Sequence, residues 1–178
     1  FFEKKIKKHL HFKKEIFPDE ENLENSFIVL NANRIDPRKA VGLTIEAFAI
    51  FAKDKPQDVK LCIHEPDGHP EDKQNILELA DSLGIRKKIL MGSTGAISEK
   101  KLSLLYNACE VGMTTSMGEG WGLTNFEHAA TGAAQIIPSH TALKEIWEGA
   151  AEMLNPKDKF FSYFSPFEMQ MISPKDAA

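Results

Sequence analysis

The sequence predicts a doubly wound α/β fold, a parallel sheet with helices on both faces. Three observations predict it. Short apolar runs alternate about five times with stretches of helical spacing. The segments joining them are brief, as crossover units require. Loops rich in Gly, Pro and Asn follow the strand-like runs, at the carboxyl ends where such sheets hold ligands.

The 178 residues, 42% hydrophobic and 27% charged, suffice for one domain with its own core. A net charge of -4 argues against a general nucleic-acid binder, which needs a basic excess, yet leaves room for a small anion held by a few local cations. Cys62 and Cys109 lie far apart inside apolar runs, as reduced buried thiols do, so a reducing, cytoplasmic setting is expected. No run approaches the length of a membrane span, and the first residues lack the apolar core of a signal peptide.

Residues 1–25 alternate basic and acidic blocks, from Lys4, Lys5, Lys7, Lys8, Lys13 and Lys14 to Asp19, Glu20 and Glu21. They read as a linker and edge segment whose lysines form a solvated face. Phe27 to Ala32 is a buried strand, emptying into a loop from Asn33 to Lys39 that Pro37 keeps irregular. Val41 to Phe51 has near-helical spacing and closes with Lys53 and Lys55 before Pro56. A strand from Val59 to Ile63, a turn-rich loop from His64 to Pro70, a helix from about Glu71 to Leu83 ending at Gly84, and a strand from Ile89 to Met91 follow. After the loop from Gly92 to Gly95, Ser98 caps a helix carrying Leu102, Leu105 and Tyr106, and Glu110 to Thr115 returns as a strand. Beyond the Ser116–Ala130 stretch, Gly132 ends a helix, Ala134 to Pro138 is a strand, Ala142 to Trp147 a helix and Ala151 to Leu154 a last strand. Residues 157–178 are aromatic but without period, so they are expected to wrap a surface or meet a missing neighbour.

The Ser116–Ala130 stretch carries the strongest signal. Gly118, Gly120 and Gly122 allow close approach of backbone to a ligand, and the apolar run after them opens a helix whose N–H groups suit a phosphate or a sugar hydroxyl. No Gly-Lys-Ser or Gly-Lys-Thr follows, so this is no triphosphatase loop. The strict alternation of the glycines, after a late strand, disfavours the dinucleotide fingerprint and with it nicotinamide chemistry. No serine sits in a nucleophile elbow.

Arg34 and Lys39 read first as an exposed basic loop and second as a fork and a point charge converging on an anion such as a diphosphate, and Arg38 reads as the solvated member of the trio. On one continuous helix Glu119 and Glu127 would stand roughly 12 Å apart, too far for a hydrolytic pair of carboxylates. They suit the two ends of one elongated ligand. Glu127 is either that contact or the return member of a Thr124-x-x-Glu127 capping box. Trp121 reads first as a core anchor and second as a lid on the ligand. His64, His128 and His140 read as surface or satisfied core side chains, and no spacing among the histidines suits a metal.

The loop Asn33-Arg34-x-x-x-Arg38-Lys39, the helix end Leu104 to Cys109, and Ser116-x-Gly118-Glu119-Gly120-Trp121-Gly122-Leu123 leading to Glu127-His128-Ala129-Ala130-x-Gly132 together resemble the family 4 retaining glycosyltransferases, also called glycosyl transferase group 1, of the GT-B type. The likeness runs from about Phe27 to Pro156. It implies a Rossmann-like doubly wound sheet, one half of a GT-B fold. Residues 26–156 would be the nucleotide-sugar donor-binding domain, and residues 157–178 a tail truncated before the family's closing helices. The resemblance further implies that Arg34 and Lys39 stabilise the donor diphosphate and that Glu119 holds hydroxyls of the transferred sugar. Gly120, Trp121, Gly122 and Leu123 would offer backbone N–H groups, Glu127 would accept from the ribose, and Gly92 and Ser93 would lie where the base packs.

The reaction so implied is transfer of a hexose from a nucleotide-diphosphate sugar to a glycan, lipid or protein, with retention and without metal or other cofactor. The expected partners are the donor and a missing N-terminal acceptor domain, with no nucleic acid and no transmembrane segment. Surface polysaccharide synthesis in the cytoplasm, in contact with the inner membrane face through the absent half, would follow, and this fragment alone would be inactive. A non-catalytic nucleotide-binding or assembly module, or a nucleotide-sugar epimerase, are the alternatives. Two positions depart from the family pattern: Asn33 stands where glycine is often found before the arginine, and Ala40 stands where glycine commonly follows the lysine.

Overall fold

The structure, a computed structural model, describes residues 11–21, 23–66, 70–92, 96–161 and 168–178. Six parallel strands form the main sheet: β1 (Phe27–Asn31), β2 (Val59–Ile63), β3 (Ile89–Met91), β4 (Val111–Met113), β5 (Ala134–Pro138) and β6 (Glu152–Leu154). Their order is β3-β2-β1-β4-β5-β6, the doubly wound arrangement expected from the alternation. The helices are α1 over 11–16, α2 (Val41–Ala52), α3 (Pro70–Ser82), α4 (Glu99–Ala108), α5 (Leu123–Ala129) and α6 (Thr141–Trp147).

The period of two along the strands assigns the layers. Val29, Leu61 and Ile63 pack with Val41, Ile45, Phe48 and Ile76 of α2 and α3, while Ile28, Leu30 and Cys62 point the other way onto Leu105 and Tyr106 of α4. Ile137 with Leu143 and Trp147 of α6 forms a third cluster. Element ends follow their punctuation: Gly84 and Gly132 take φ of +70° and +88° behind α3 and α5, and Ser98 Oγ accepts from Lys101 N at 3.3 Å.

The stretch read as linker behaves differently in its described part. Phe17 and Leu23 are buried beneath the sheet with Ile28 and Tyr106. Lys13, grouped above with the solvated lysines, is 3% exposed and pairs with Glu110 at 2.6 Å. The second Glu110 oxygen accepts from Ile28 N at 2.7 Å, so a buried cation ties this segment to the first strand's edge. A lone lysine in a charged run carries no sequence mark of such a distant partner.

The tail also holds structure that lacked a period. β7 (Asp158–Phe161) and β8 (Glu168–Met171) pair antiparallel. β7 is exposed along its whole length, so no alternation exists to be read. Gln170 N donates to Met117 O at 3.0 Å, and Ala177 packs against the α2 side of the core. Of the tail aromatics, Tyr163, Phe164 and Phe167 lie outside the described residues.

One glycine is set by close approach. A Cβ on Gly112 of β4 would stand 2.2 Å from Gln135 Oε1 and 2.6 Å from His128 Nδ1. Those groups belong to a buried set in which Asn125 Nδ2 donates to Gln135 Oε1 at 3.1 Å and His128 Nε2 lies 3.2 Å from Cys109 O. Gly112→Ala therefore overpacks a polar centre, and urea unfolding is expected to register a loss of about 1–3 kcal/mol.

Candidate active site at the sheet's switch point

β1 and β4 are parallel neighbours, with Val29 opposite Val111 and Leu30 opposite Gly112. From β1 the chain proceeds to β2 on one side, and from β4 to β5 on the other, so the loops after β1 and β4 open a crevice between them. The cation loop and the glycine loop are those two loops.

A buried polar chain forms the floor. Asn31 Nδ2 donates to Thr44 Oγ1 at 2.8 Å, Thr44 and Thr115 hydroxyls meet at 2.9 Å, and Thr115 donates to Ala40 O at 2.8 Å. With Thr115 donating onward, Thr44 donates to Thr115, and the chain runs in one direction from strand to loop. Asn33 bonds Asn31 Oδ1 through its backbone at 3.0 Å and its side chain at 2.9 Å, and Thr114 Oγ1 at 3.2 Å. Asn33 is thus the joint between β1 and β4, a role glycine could not fill. Each bond is worth about 0.5–1.5 kcal/mol net, but an orphan left in this dry floor would cost more.

Above the floor the loops are fastened to each other. Met117 N donates to Arg38 O at 2.8 Å, Arg38 Nη1 donates to Gly118 O, and Lys39 Nζ is paired with Glu119 Oε1. Arg38 Nη1 also lies 3.4 Å from Glu119 Oε2. Arg38 is therefore no solvated bystander: its guanidinium is a strut under the glycine loop. Arg34 is the exposed one, and its side chain has no partner among the described residues.

Glu119 N donates to Thr141 Oγ1 at 3.2 Å, and His140 Nδ1 lies 3.2 Å from the same hydroxyl. Ala40 and Thr141 are the two residues other than glycine with positive φ among those described, at +48° and +47°, and both touch this pair of loops. Such strain concentrates where the surrounding structure dictates the backbone. It also explains Ala40 physically, because this left-handed turn before α2 is a glycine position. Ala40→Gly is expected to raise stability by about 0.5–1 kcal/mol in thermal unfolding.

Helix α5 begins at Leu123 with Gly122 as its N-cap at φ +82° and no side-chain cap, which removes the capping-box reading of Thr124 and Glu127. Glu127 is exposed and accepts from Tyr106 Oη at 2.9 Å. Burial, and then this bond, push the Tyr106 pKa upward, so the phenol stays a donor that orients the carboxylate. The two glutamates do not share one continuous helix. In the structure Glu119 belongs to the loop and Glu127 to the helix, each with its own partners. No N–H of Gly120, Trp121, Gly122 or Leu123 has a hydrogen-bond partner among the described residues. Trp121 is 55% exposed and stacks on Phe126 at 5.4 Å, so it is not a core anchor.

Gly92 is buried at the end of β3, its N–H on Ile63 O at 2.9 Å and its Cα so near His64 that a Cβ would stand 3.0 Å away. Ser93, named with it, lies outside the described residues. Sequence reasoning missed Arg38, Tyr106, Thr141 and the Asn31–Thr115 floor. The one available signal was the density of Asn and Thr at two strand ends. No group of three His, Cys, Asp or Glu side chains is disposed for a metal ion among the described residues.

His128 and His140 are buried, and desolvation holds both pKa values below the ordinary 6.5; the His140 Nε2 has no hydrogen-bond partner among the described residues. Below pH 6.5 the unfolded chain takes up protons that the folded protein resists, so stability falls as pH drops from that value. Urea midpoints are expected to decline from about pH 7 to about pH 5, and His140→Asn to make the decline shallower.

Residues 12–151 match the family of Glycosyl transferases group 1. This chain belongs to that family. Among curated relatives, the serotype-specific mannosyltransferase WbdA of Escherichia coli is 34% identical over 142 residues, which is 79% of this chain and 17% of that protein. A second Escherichia coli WbdA is 33% identical over 142 residues with the same shares. The chain thus spans 17% of the length of these relatives.

Among solved structures, Anabaena HepE in complex with UDP and glucose superposes with a TM-score of 0.67 at 17% identity, covering 85% of this chain and 39% of that one. The C-terminal domain of the group 1 glycosyl transferase LpcC from Francisella tularensis gives 0.60 at 24% identity, with 75% and 69% covered. These likenesses agree with the Rossmann-like sheet described above.

Proposed function

We propose that this chain is the donor-binding half of a retaining hexosyltransferase that uses a nucleotide-diphosphate sugar. One observation carries the reading: the cation loop is docked, at the sheet's switch point, on a glycine loop with four N–H groups that have no partner among the described residues. Arg34 and Lys39 take the diphosphate and stabilise the charge of the departing nucleotide. Glu119 accepts from sugar hydroxyls, Glu127 from the ribose, and the N–H groups from Gly120 to Leu123 serve sugar and phosphate. Gly92, and with it Ser93 by the family resemblance, is assigned to the base. Preorganised donors at the leaving group lower the barrier without reorganising during the reaction, and no metal is part of this proposal.

The relatives named mannosyltransferases and the fold shared with a UDP-bound protein support a nucleotide-sugar donor. The acceptor, a glycan, lipid or protein in surface polysaccharide synthesis, is held by an N-terminal half outside these residues. No helix among the described residues is long and apolar enough to cross a membrane. This proposal assigns contact with the inner membrane face, on the cytoplasmic side, to that half.

Calorimetry of the 178-residue chain with UDP, GDP and ADP tests the reading. One of the three is expected to bind, and Arg34→Ala and Lys39→Ala each to weaken it by roughly 1.5–3 kcal/mol, as lost charge-assisted bonds do. No binding at millimolar concentration, or unchanged binding in both variants, overturns it. Sugar transfer by this chain alone is expected to be absent, and turnover in a donor–acceptor assay would refute that part.

A further inference from the structure

Glu119 and Lys39 are assigned above to different parts of one donor, yet in the free protein they are bound to each other. Their side chains are 9% and 13% exposed, so the pair is largely withdrawn from water, and removing either partner leaves the other charge uncompensated. Arg38 reinforces it, 3.4 Å from the second carboxylate oxygen. The backbone around Glu119 is pinned on two sides, by Arg38 Nη1 on Gly118 O and by Thr141 Oγ1 on Glu119 N. The carboxylate can therefore change partner while the loop stays in place. Arg34 stands apart from this pair, exposed and without a partner among the described residues.

We propose that Glu119 is an internal stand-in for the donor's diphosphate: it occupies Lys39 until the donor displaces it, and the same displacement frees it to receive the sugar hydroxyls. The proposal rests on the donor-site reading above. Arg34, exposed, takes the incoming diphosphate first. Lys39 then exchanges one anion for another, and Glu119 exchanges a cation for hydroxyl donors. A complete donor satisfies both groups. A nucleoside diphosphate without sugar satisfies only Lys39 and leaves a carboxylate beside phosphate charge with no new partner, a cost that falls on that ligand alone. The site thereby prefers intact donor over spent nucleotide. Once the sugar has left, the return of Glu119 to Lys39 drives the nucleoside diphosphate out.

A double-mutant cycle tests this with whichever of UDP, GDP and ADP binds. Glu119→Gln, which keeps the shape and removes the charge, is expected to tighten the nucleoside diphosphate roughly tenfold. In a Lys39→Ala background the same change is expected to alter affinity less than about twofold, because Lys39, the cation that Glu119 occupies, is gone and Arg38 stays committed to Gly118 O. An equal gain in both backgrounds overturns the proposal in favour of simple charge repulsion, and no gain in either overturns it outright. These outcomes leave the donor-site reading intact. Binding of none of the three by wild type and Glu119→Gln alike overturns both. Tight binding by Glu119→Gln where wild type binds weakly supports both.

Discussion

The structure depends on the contact between β1 and β4, two parallel strands from which the chain departs in opposite directions. Their carboxyl ends would expose polar backbone in a crevice, and the chain from Asn31 through Thr44 and Thr115 to Ala40 O satisfies it from below. That chain fixes where the cation loop starts and, through Asn33 and Thr114, where the glycine loop starts. The positions of Lys39 and Glu119 follow from it, because each lies within a few residues of a pinned point.

Two costs are built into this arrangement. The backbone is left-handed at Ala40 and Thr141, and two histidines are kept neutral by burial. Ala40, Thr141 and His140 lie in the loops around Glu119, whereas His128 sits on α5 against Cys109 O. A parallel sheet with Ile28, Leu61, Ile63 and Ile137 fully buried supplies the stability against which these costs are set. The glycine loop is held by its neighbours as well as by α5 at Gly122 O: Arg38, Thr141 and Gln170 each bind one of its backbone groups.

Much of the fold is legible residue by residue. β2, β3 and β5 have the limits their apolar runs suggest, and α3 and α4 end and begin at Gly84 and Ser98 as punctuation requires. β4 (Val111–Met113) is shorter than its run, and beyond its end Thr114 N still reaches Ile136 O at 3.1 Å while the Thr114 and Thr115 hydroxyls serve the floor. The site is legible in its residue types and less so in its pairings. Arg38 read as solvated and Trp121 as core, and the structure reverses each. Lys13 and Glu110, 97 positions apart, show why: a charge carries no period and so no sign of what it will face.

What the sequence alone determined is the doubly wound sheet, the two loops at its carboxyl end and the inventory of cations, glycines and glutamates they carry. Periodicity and turn chemistry are local, and local signals survive in one dimension. Only the tertiary structure decided which cation props the glycine loop, that Tyr106 orients Glu127, and that Glu119 lies on Lys39. Each of these is a contact across 21 to 80 positions of chain, selected by which strands become neighbours and by how little water remains between them.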